Sequence, residues 1–364
     1  MKKLLLIFTF ALSISVYSNP MPNFFEGVRP TGMGNAFLAI ADDANTLWYN
    51  PAGLSEIQGF HFNLFDFALG FDSVDTLSRI QRAVFKGKTS DLLREDQEYI
   101  RFNFMPSMIM PHFGISLFSQ TQGLFDLSDI IHTGLQAHSF HDQGAIAGAA
   151  FSLTDFLSFG FSLRAFYRSG IDFSLTAQDV IDKYGANANT LLDNIYQELS
   201  NEAGQGYAFG LNAGVRIQVP LKSKGPSSPK LFLAATAEDI GNTTFHALDG
   251  HAVPVTLKQQ FNFGGALIYP FAKNWSWNLA ADMRNALEPT DFVRLFHIGT
   301  EIRQSNFGLR VGANQGYLTY GFSLEFPPHT RLHFSSYGIE LGNKRWEKEQ
   351  RLYLLQLNIG FNPN

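Results

Sequence analysis

Apolar residues alternating with small or polar ones, over most of its length, are the feature that most limits what this sequence can fold into. In Tyr207, Phe209, Leu211, Ala213, Val215, Ile217 and Val219 every second residue is apolar, while Ala208, Gly210, Asn212, Gly214, Arg216 and Gln218 lie between them. Trp275, Trp277, Leu279, Ala281 and Met283 repeat the pattern, as do Phe307, Leu309, Val311 and Ala313, and then Leu318, Tyr320, Phe322, Leu324 and Phe326. A period of two is the signature of strands with one greasy face. Such runs predict fourteen strands, at about 59-71, 99-111, 112-121, 138-153, 156-173, 205-219, 230-240, 254-269, 273-284, 292-303, 306-315, 317-327, 329-341 and 350-361.

The connections sort by length. Long ones at 72-98, 122-137, 174-204, 241-253, 285-291 and 342-349 alternate with short ones such as Pro111-His112, Thr154-Asp155, Pro270-Phe271-Ala272 and Pro327-Pro328, with Gly316 a short exception on the long side. Transmembrane barrels carry short turns at one end, long loops at the other and an even strand count, and aromatic residues at strand ends suit lipid headgroups. A soluble sandwich also alternates but has no reason to sort its loops. The reading is therefore all-β, a 14-stranded antiparallel transmembrane β-barrel.

Composition agrees. The chain holds 36 Phe among 364 residues, yet its mean hydropathy is only −0.05, so the apolar residues must be interleaved with polar ones. A net charge of −5 leaves no basic excess for a phosphate backbone, which argues against nucleic-acid partners. Zero cysteines exclude disulfides, thiol catalysis and a lipidated cysteine anchor. Lys2 and Lys3 precede an apolar run from Leu4 to about Val16, shorter than the roughly 20 residues of a spanning helix, so residues 1-18 are expected to be a cleaved signal peptide. Export without a lipid anchor leaves a periplasmic or secreted protein, or a barrel of the outer membrane in a Gram-negative-type envelope.

In the last predicted strand Tyr353, Leu355, Leu357, Ile359 and Phe361 share one face, a pattern that barrel-assembly machinery is expected to read, although Asn362-Pro363-Asn364 follow the final aromatic. Two long connectors have helical stripes, Val74, Leu77, Ile80 and Val84, and Leu191, Leu192, Ile195 and Leu199. They read as helices capping the barrel mouth or as a groove where an apolar ligand first lands.

Residues 19-58 do not alternate. They contain Gly32-Met33-Gly34-Asn35-Ala36-Phe37, then Ala41-Asp42-Asp43-Ala44, then Trp48-Tyr49-Asn50-Pro51-Ala52-Gly53-Leu54. Gly32 and Gly34 permit tight turns and Asn50-Pro51 marks a break, so a compact irregular element precedes the first strand. No strand precedes the Gly-x-Gly and no third Gly completes it, so a nucleotide site is not indicated. This run resembles the N-terminal hatch of the FadL-type outer-membrane transporters and their relatives, which include the PorV-like proteins, with Asn50, Pro51 and Ala52 matching the family's most specific mark. The resemblance is tight over about 30 residues and architectural over the rest.

The resemblance implies that residues 19-58 fold back inside a barrel formed by residues 59-364 and plug it. It further implies a channel for passive uptake of hydrophobic compounds such as long-chain fatty acids, in which a ligand displaces the hatch and leaves sideways into the outer-membrane lipid. A monomer without cofactors is expected. Asn50, Pro51, Ala52, Gly32 and Gly34 are the candidate hatch residues. The PorV-like branch implies instead a barrel that binds secreted cargo or a secretion complex; a surface adhesin is a third reading.

The predicted lumen face carries Arg164, Arg168, Arg216, Lys258, Arg303 and Arg310 beside Asp282, Glu301 and Glu325. Charges there must be paired, hydrated or plugged. They read as a network holding the hatch, or as supplying one cation for a ligand carboxylate. His138, His141 and Asp142, and the pair His329 and His333, are too few for a specified metal site, and no Gly-x-Ser-x-Gly elbow is present. The chain is not read as an enzyme.

Overall fold

The computed structural model describes residues 23–76, 78, 98–126, 135–175, 182, 203–221, 225, 228–288, 290–326, 330–341 and 346–361. The predicted leader, most of both helical stripes, His329 and the last three residues fall outside these; Val74, which is described, is exposed.

Fourteen antiparallel strands close on themselves. They are β1 (His61–Phe71), β2 (Glu98–Phe104 continued by Ser107–Met110), β3 (Phe113–Asp126), β4 (Leu135–Thr154), β5 (Leu157–Leu175), β6 (Gly204–Val219) and β7 (Lys230–Glu238). The rest are β8 (Gln260–Ala272), β9 (Trp275–Met283), β10 (Phe296–Gln304), β11 (Phe307–Asn314), β12 (Tyr317–Phe326), β13 (Thr330–Glu340) and β14 (Glu349–Phe361). Each strand pairs with its sequence neighbours, and β14 returns to β1 from Phe62 opposite Phe361 to Phe71 opposite Tyr353. An even count makes that closing pair antiparallel and leaves no edge, the condition for crossing lipid with strands. Among the described residues no helix is long and apolar enough to cross a membrane.

The wall is inverted relative to a soluble protein. Along β6, Asn212 is 2% exposed while Phe209 beyond it is 62% exposed. Leu163, Leu233, Leu279, Ile298, Leu309 and Val311 are likewise exposed, whereas Asn262, Asn278, Asp282, Glu301, Arg310 and Thr319 are buried. Apolar residues outside and polar residues inside are what lipid on one side and a filled lumen on the other require.

Two local departures shape the wall near β1. Leu64 and Phe65 are consecutive yet both exposed, and the register with β14 slips between Asn63 and Phe65, so β1 carries a bulge there. Opposite it Pro106 divides β2, since proline has no N–H for the ladder. Sequence alternation also overran two ends. Pro254 and Val255, read as the start of a strand, stay outside the ladder and β8 begins at Gln260, while residues 292–295, read as strand, form a short helix with Asp291 accepting from the Val293 N–H at 3.0 Å.

Candidate functional site

Residues 23–58 pack against the buried polar face of the wall. They form α1 (Val28–Gly32), α2 (Thr46–Tyr49) and a 3-10 turn over Pro51–Glu56, and Met33, Ala36 to Ala41, Leu47, Tyr49, Ala52 and Leu54 are buried. Short elements of this kind cannot stand alone. The wall therefore supplies their partners. Asp282 accepts the Phe37 and Leu38 N–H groups at 2.5 and 2.9 Å, and Arg216 Nε donates to the Ala39 carbonyl at 3.0 Å. Ser162 Oγ donates to the Leu47 carbonyl at 2.9 Å, and Gln120 Nε2 to that of Phe24 at 3.0 Å.

Asn50 is a three-way tie. Its Oδ1 accepts the Ala52 N–H at 3.1 Å, and its Nδ2 donates to the Leu38 carbonyl at 2.9 Å and to Val215 of β6 at 3.4 Å. Pro51 takes the first position of the 3-10 turn, where its missing N–H costs nothing. The turn lies so close to the wall that a Cβ on Gly160 would sit 2.3 Å from the Pro51 carbonyl carbon. Gly160→Ala should therefore lift the turn off the wall while leaving β5 paired. Cross-linking between cysteines placed at Ser55 and His112, beside the Leu54 carbonyl that accepts the His112 N–H at 2.9 Å, checks this: efficiency should fall at least severalfold, and unchanged efficiency would refute the close fit. Gly34 turns at a φ of 65°, which favours glycine, and the Gly32 carbonyl accepts from Thr319 Oγ1 at 3.3 Å.

Buried charges pin α1. Arg29 donates from Nε to Glu301 Oε1 at 3.0 Å and from Nη2 to Oε2 at 2.7 Å, and its Nη1 reaches Asp42 and Asp43. Burial works against the Asp43 charge, but Arg29 beside it outweighs this and holds the carboxyl below its ordinary range. Glu301 also accepts from Arg310 Nε at 2.7 Å, and Asp42 from Arg303 Nη1 at 3.2 Å. A carboxylate shared by two guanidinium groups is the geometry that makes a buried charge tolerable.

A second cluster is aromatic. Phe24 lies among Trp48, Phe118 and Phe166, with ring centroids at 5.8, 6.1 and 5.2 Å, and Phe25 stacks on Trp48 at 4.6 Å. Arg164 lies over the Phe24 ring at 4.4 Å and is paired with Asp239; Arg168 lies over Phe140 at 4.5 Å and is held by Asp142 at 2.6 Å.

Of the cations singled out in the sequence, Arg164, Arg168, Arg216 and Arg310 are buried inside and Arg303 is half exposed. Lys258 is corrected: it precedes β8 and is exposed, because the ladder starts two residues later. His138 and His141 face opposite sides of β4, His138 bonding Asp172 at 2.5 Å and His141 Thr121 at 2.9 Å, so they form no cluster. Among the described residues no group of three His, Asp or Glu could hold a metal. Sequence reasoning passed over Phe24 and Arg29; that Arg29 is the single cation of residues 19–58, beside four acids, was the available signal for it.

No protein-family model matches the sequence, and no curated protein matches it. Solved structures do. The monoaromatic hydrocarbon channel CymD superposes with a TM-score of 0.52 at 13% identity, over 93% of this chain and 97% of that one. The toluene transporter TbuX of Ralstonia pickettii gives 0.52 at 15% identity over 93% and 98%, and the toluene transporter TodX of Pseudomonas putida gives 0.50 at 13% over 94% and 99%. The chain thus has the transmembrane-barrel fold of these hydrophobic-compound channels.

Proposed function

We propose that this protein is an outer-membrane channel for passive uptake of hydrophobic compounds, with residues 19–58 as its hatch. The observation that carries this reading is the aromatic cluster around Phe24 inside a barrel whose polar lumen residues are turned to the plug. A greasy molecule needs an apolar foothold within the wall, and one ring of the plug already occupies such a place. The hydrocarbon channels of like fold support the class of cargo, which here extends to long-chain fatty acids and to single-ring aromatics. Passage requires no bond chemistry, so no catalytic residue is assigned. Movement of the hatch opens the path, and the Asn50 tie makes that movement all or none for the 3-10 turn.

The test is uptake of labelled toluene and of a labelled long-chain fatty acid by cells lacking their own transporters. Wild type and Asn50→Ala are compared at equal surface levels. Losing the Asn50 side chain leaves a buried Ala52 N–H and the Leu38 carbonyl short of partners, about 1–3 kcal/mol each. Uptake by the wild type, altered at least fivefold by Asn50→Ala, is the expected result. No uptake of either compound by a correctly inserted barrel would overturn the channel reading and favour a barrel that binds secreted cargo.

A further inference from the structure

The long-loop end of the barrel has an insert of its own. Residues 239–259, which connect β7 to β8, fold onto the lumen face of β6: a Cβ on Gly206 would sit 2.6 Å from the His246 carbonyl oxygen, one on Gly210 2.9 Å from Thr243 Oγ1, and one on Gly204 3.0 Å from the Pro254 nitrogen. Most of this segment is exposed, but Phe245 is 6% exposed and joins the core inside the barrel. Among the described residues, every other buried member of that core comes from the plug or from the wall.

The backbone is held on both sides of Phe245. Asp239 pairs with Arg164 and accepts from Thr243 Oγ1 at 2.5 Å, and Thr243 and Leu257 exchange backbone hydrogen bonds at 2.9 and 3.1 Å. On the other side His246 and Ala247 pair with Tyr207 and Gly206 of β6, and the Leu248 N–H donates to the Gln205 carbonyl at 2.9 Å. Lifting the segment would break these bonds together, whereas turning one side chain to another staggered position about χ1 breaks none.

The Phe245 ring stands edge-on to Phe166 at 5.4 Å, and Phe24 of the plug meets the same Phe166 ring at 5.2 Å. The aromatic cluster is thus closed by one ring from the plug and by one from the long-loop end. Arg168 lies 5.3 Å from the centre of the Phe245 ring and 5.6 Å from that of Phe24. It is fixed there, because Asp142 holds its Nε and Nη2 at 2.6 and 2.9 Å, so an opening at Phe245 does not widen on that side.

We propose that Phe245 is a specificity-determining residue: its ring turns aside to admit cargo from the long-loop end, and the space that one phenyl ring vacates sets the width of what passes. The inference rests on the channel reading above and adds a limit to it. A single ring or an alkyl chain fits that space, and fused rings, wider than the side chain that makes way, are rejected by clash.

The chain has no cysteine, so one placed at Ala208, 1% exposed and opposite Phe166 in the ladder, reports entry alone. The full protein in detergent micelles is treated with N-phenylmaleimide, which carries one ring, or with N-(1-pyrenyl)maleimide, which carries four fused rings, and each rate is taken relative to that with free cysteine. With Phe245 in place the phenyl reagent should react at least tenfold faster than the pyrenyl one. Phe245→Ala should raise the pyrenyl rate at least tenfold and the phenyl rate less than threefold. Leu257→Ala removes packing from the same segment but leaves the ring, and should leave the ratio of rates unchanged. An unreactive reporter, an unchanged ratio in Phe245→Ala, or the same shift in Leu257→Ala overturns the proposal. The rates are read on barrels that keep their heat-dependent gel shift and do not depend on uptake, so failure of uptake with the expected ratios would fault the channel reading alone.

Discussion

Glu301→Gln is expected to release α1 from the wall without opening the barrel. The substitution keeps the shape of the side chain and removes its charge, leaving Arg29 and Arg310 buried with one carboxylate fewer between them. Removing one partner of a buried ion pair costs about 3–5 kcal/mol, because the remaining charge has nothing to offset its desolvation. The strands do not depend on this contact, since β14 closes on β1 through its own ladder. Chymotrypsin should therefore cut after Phe25, just ahead of α1, at a much lower urea concentration than in the wild type, while the heat-dependent gel shift of the folded barrel is retained. Adding Arg310→Met removes one of the stranded cations and should restore part of the protection. Protection equal to the wild type in the single variant would show that α1 is held by packing alone.

The barrel could be read from the sequence because its two physical requirements leave local traces. Lipid on one side and a filled lumen on the other impose alternation on residues such as Phe209 and Asn212, and an up-and-down path sorts the loops. The ends were read less well where apolar alternation continued past the ladder, at Val255, although Pro254 was a warning. The Leu64 bulge left no local trace, while Pro106 could have been seen as a break in β2.

The short helices of residues 23–58 were not legible, because elements of four to six residues are too short to have a period of their own. Their partners were not legible at all. That Arg29 meets Glu301, 272 positions away, depends on how the strands are staggered around the barrel, and no local pattern encodes the stagger. The aromatic cluster is hidden for the same reason, since Phe24, Phe118, Phe166 and Phe245 come from four separate parts of the chain.

The depth of the membrane can be mapped on β9 alone, where Leu279→Arg should cost on the order of 2–4 kcal/mol in lipid. Leu279 points outward between Leu267 and Thr300, halfway along the strand, and its neighbours Asn278 and Ala280 face the lumen. A guanidinium there must either lose its water or drag water into the hydrocarbon. Trp275, at the short-turn end of the same strand, sits where the wall meets headgroups, and Trp275→Arg should cost only about 0–1 kcal/mol. Both are measured as urea-dependent folding into vesicles of one lipid, so the difference between the two positions carries the conclusion and the shared terms cancel. Equal costs at the two depths would mean that no hydrocarbon belt surrounds β9. A gradient of the expected sign makes the exposed leucines and phenylalanines a lipid-facing wall, and leaves the lumen, with its plug and its charges, as the place where function resides.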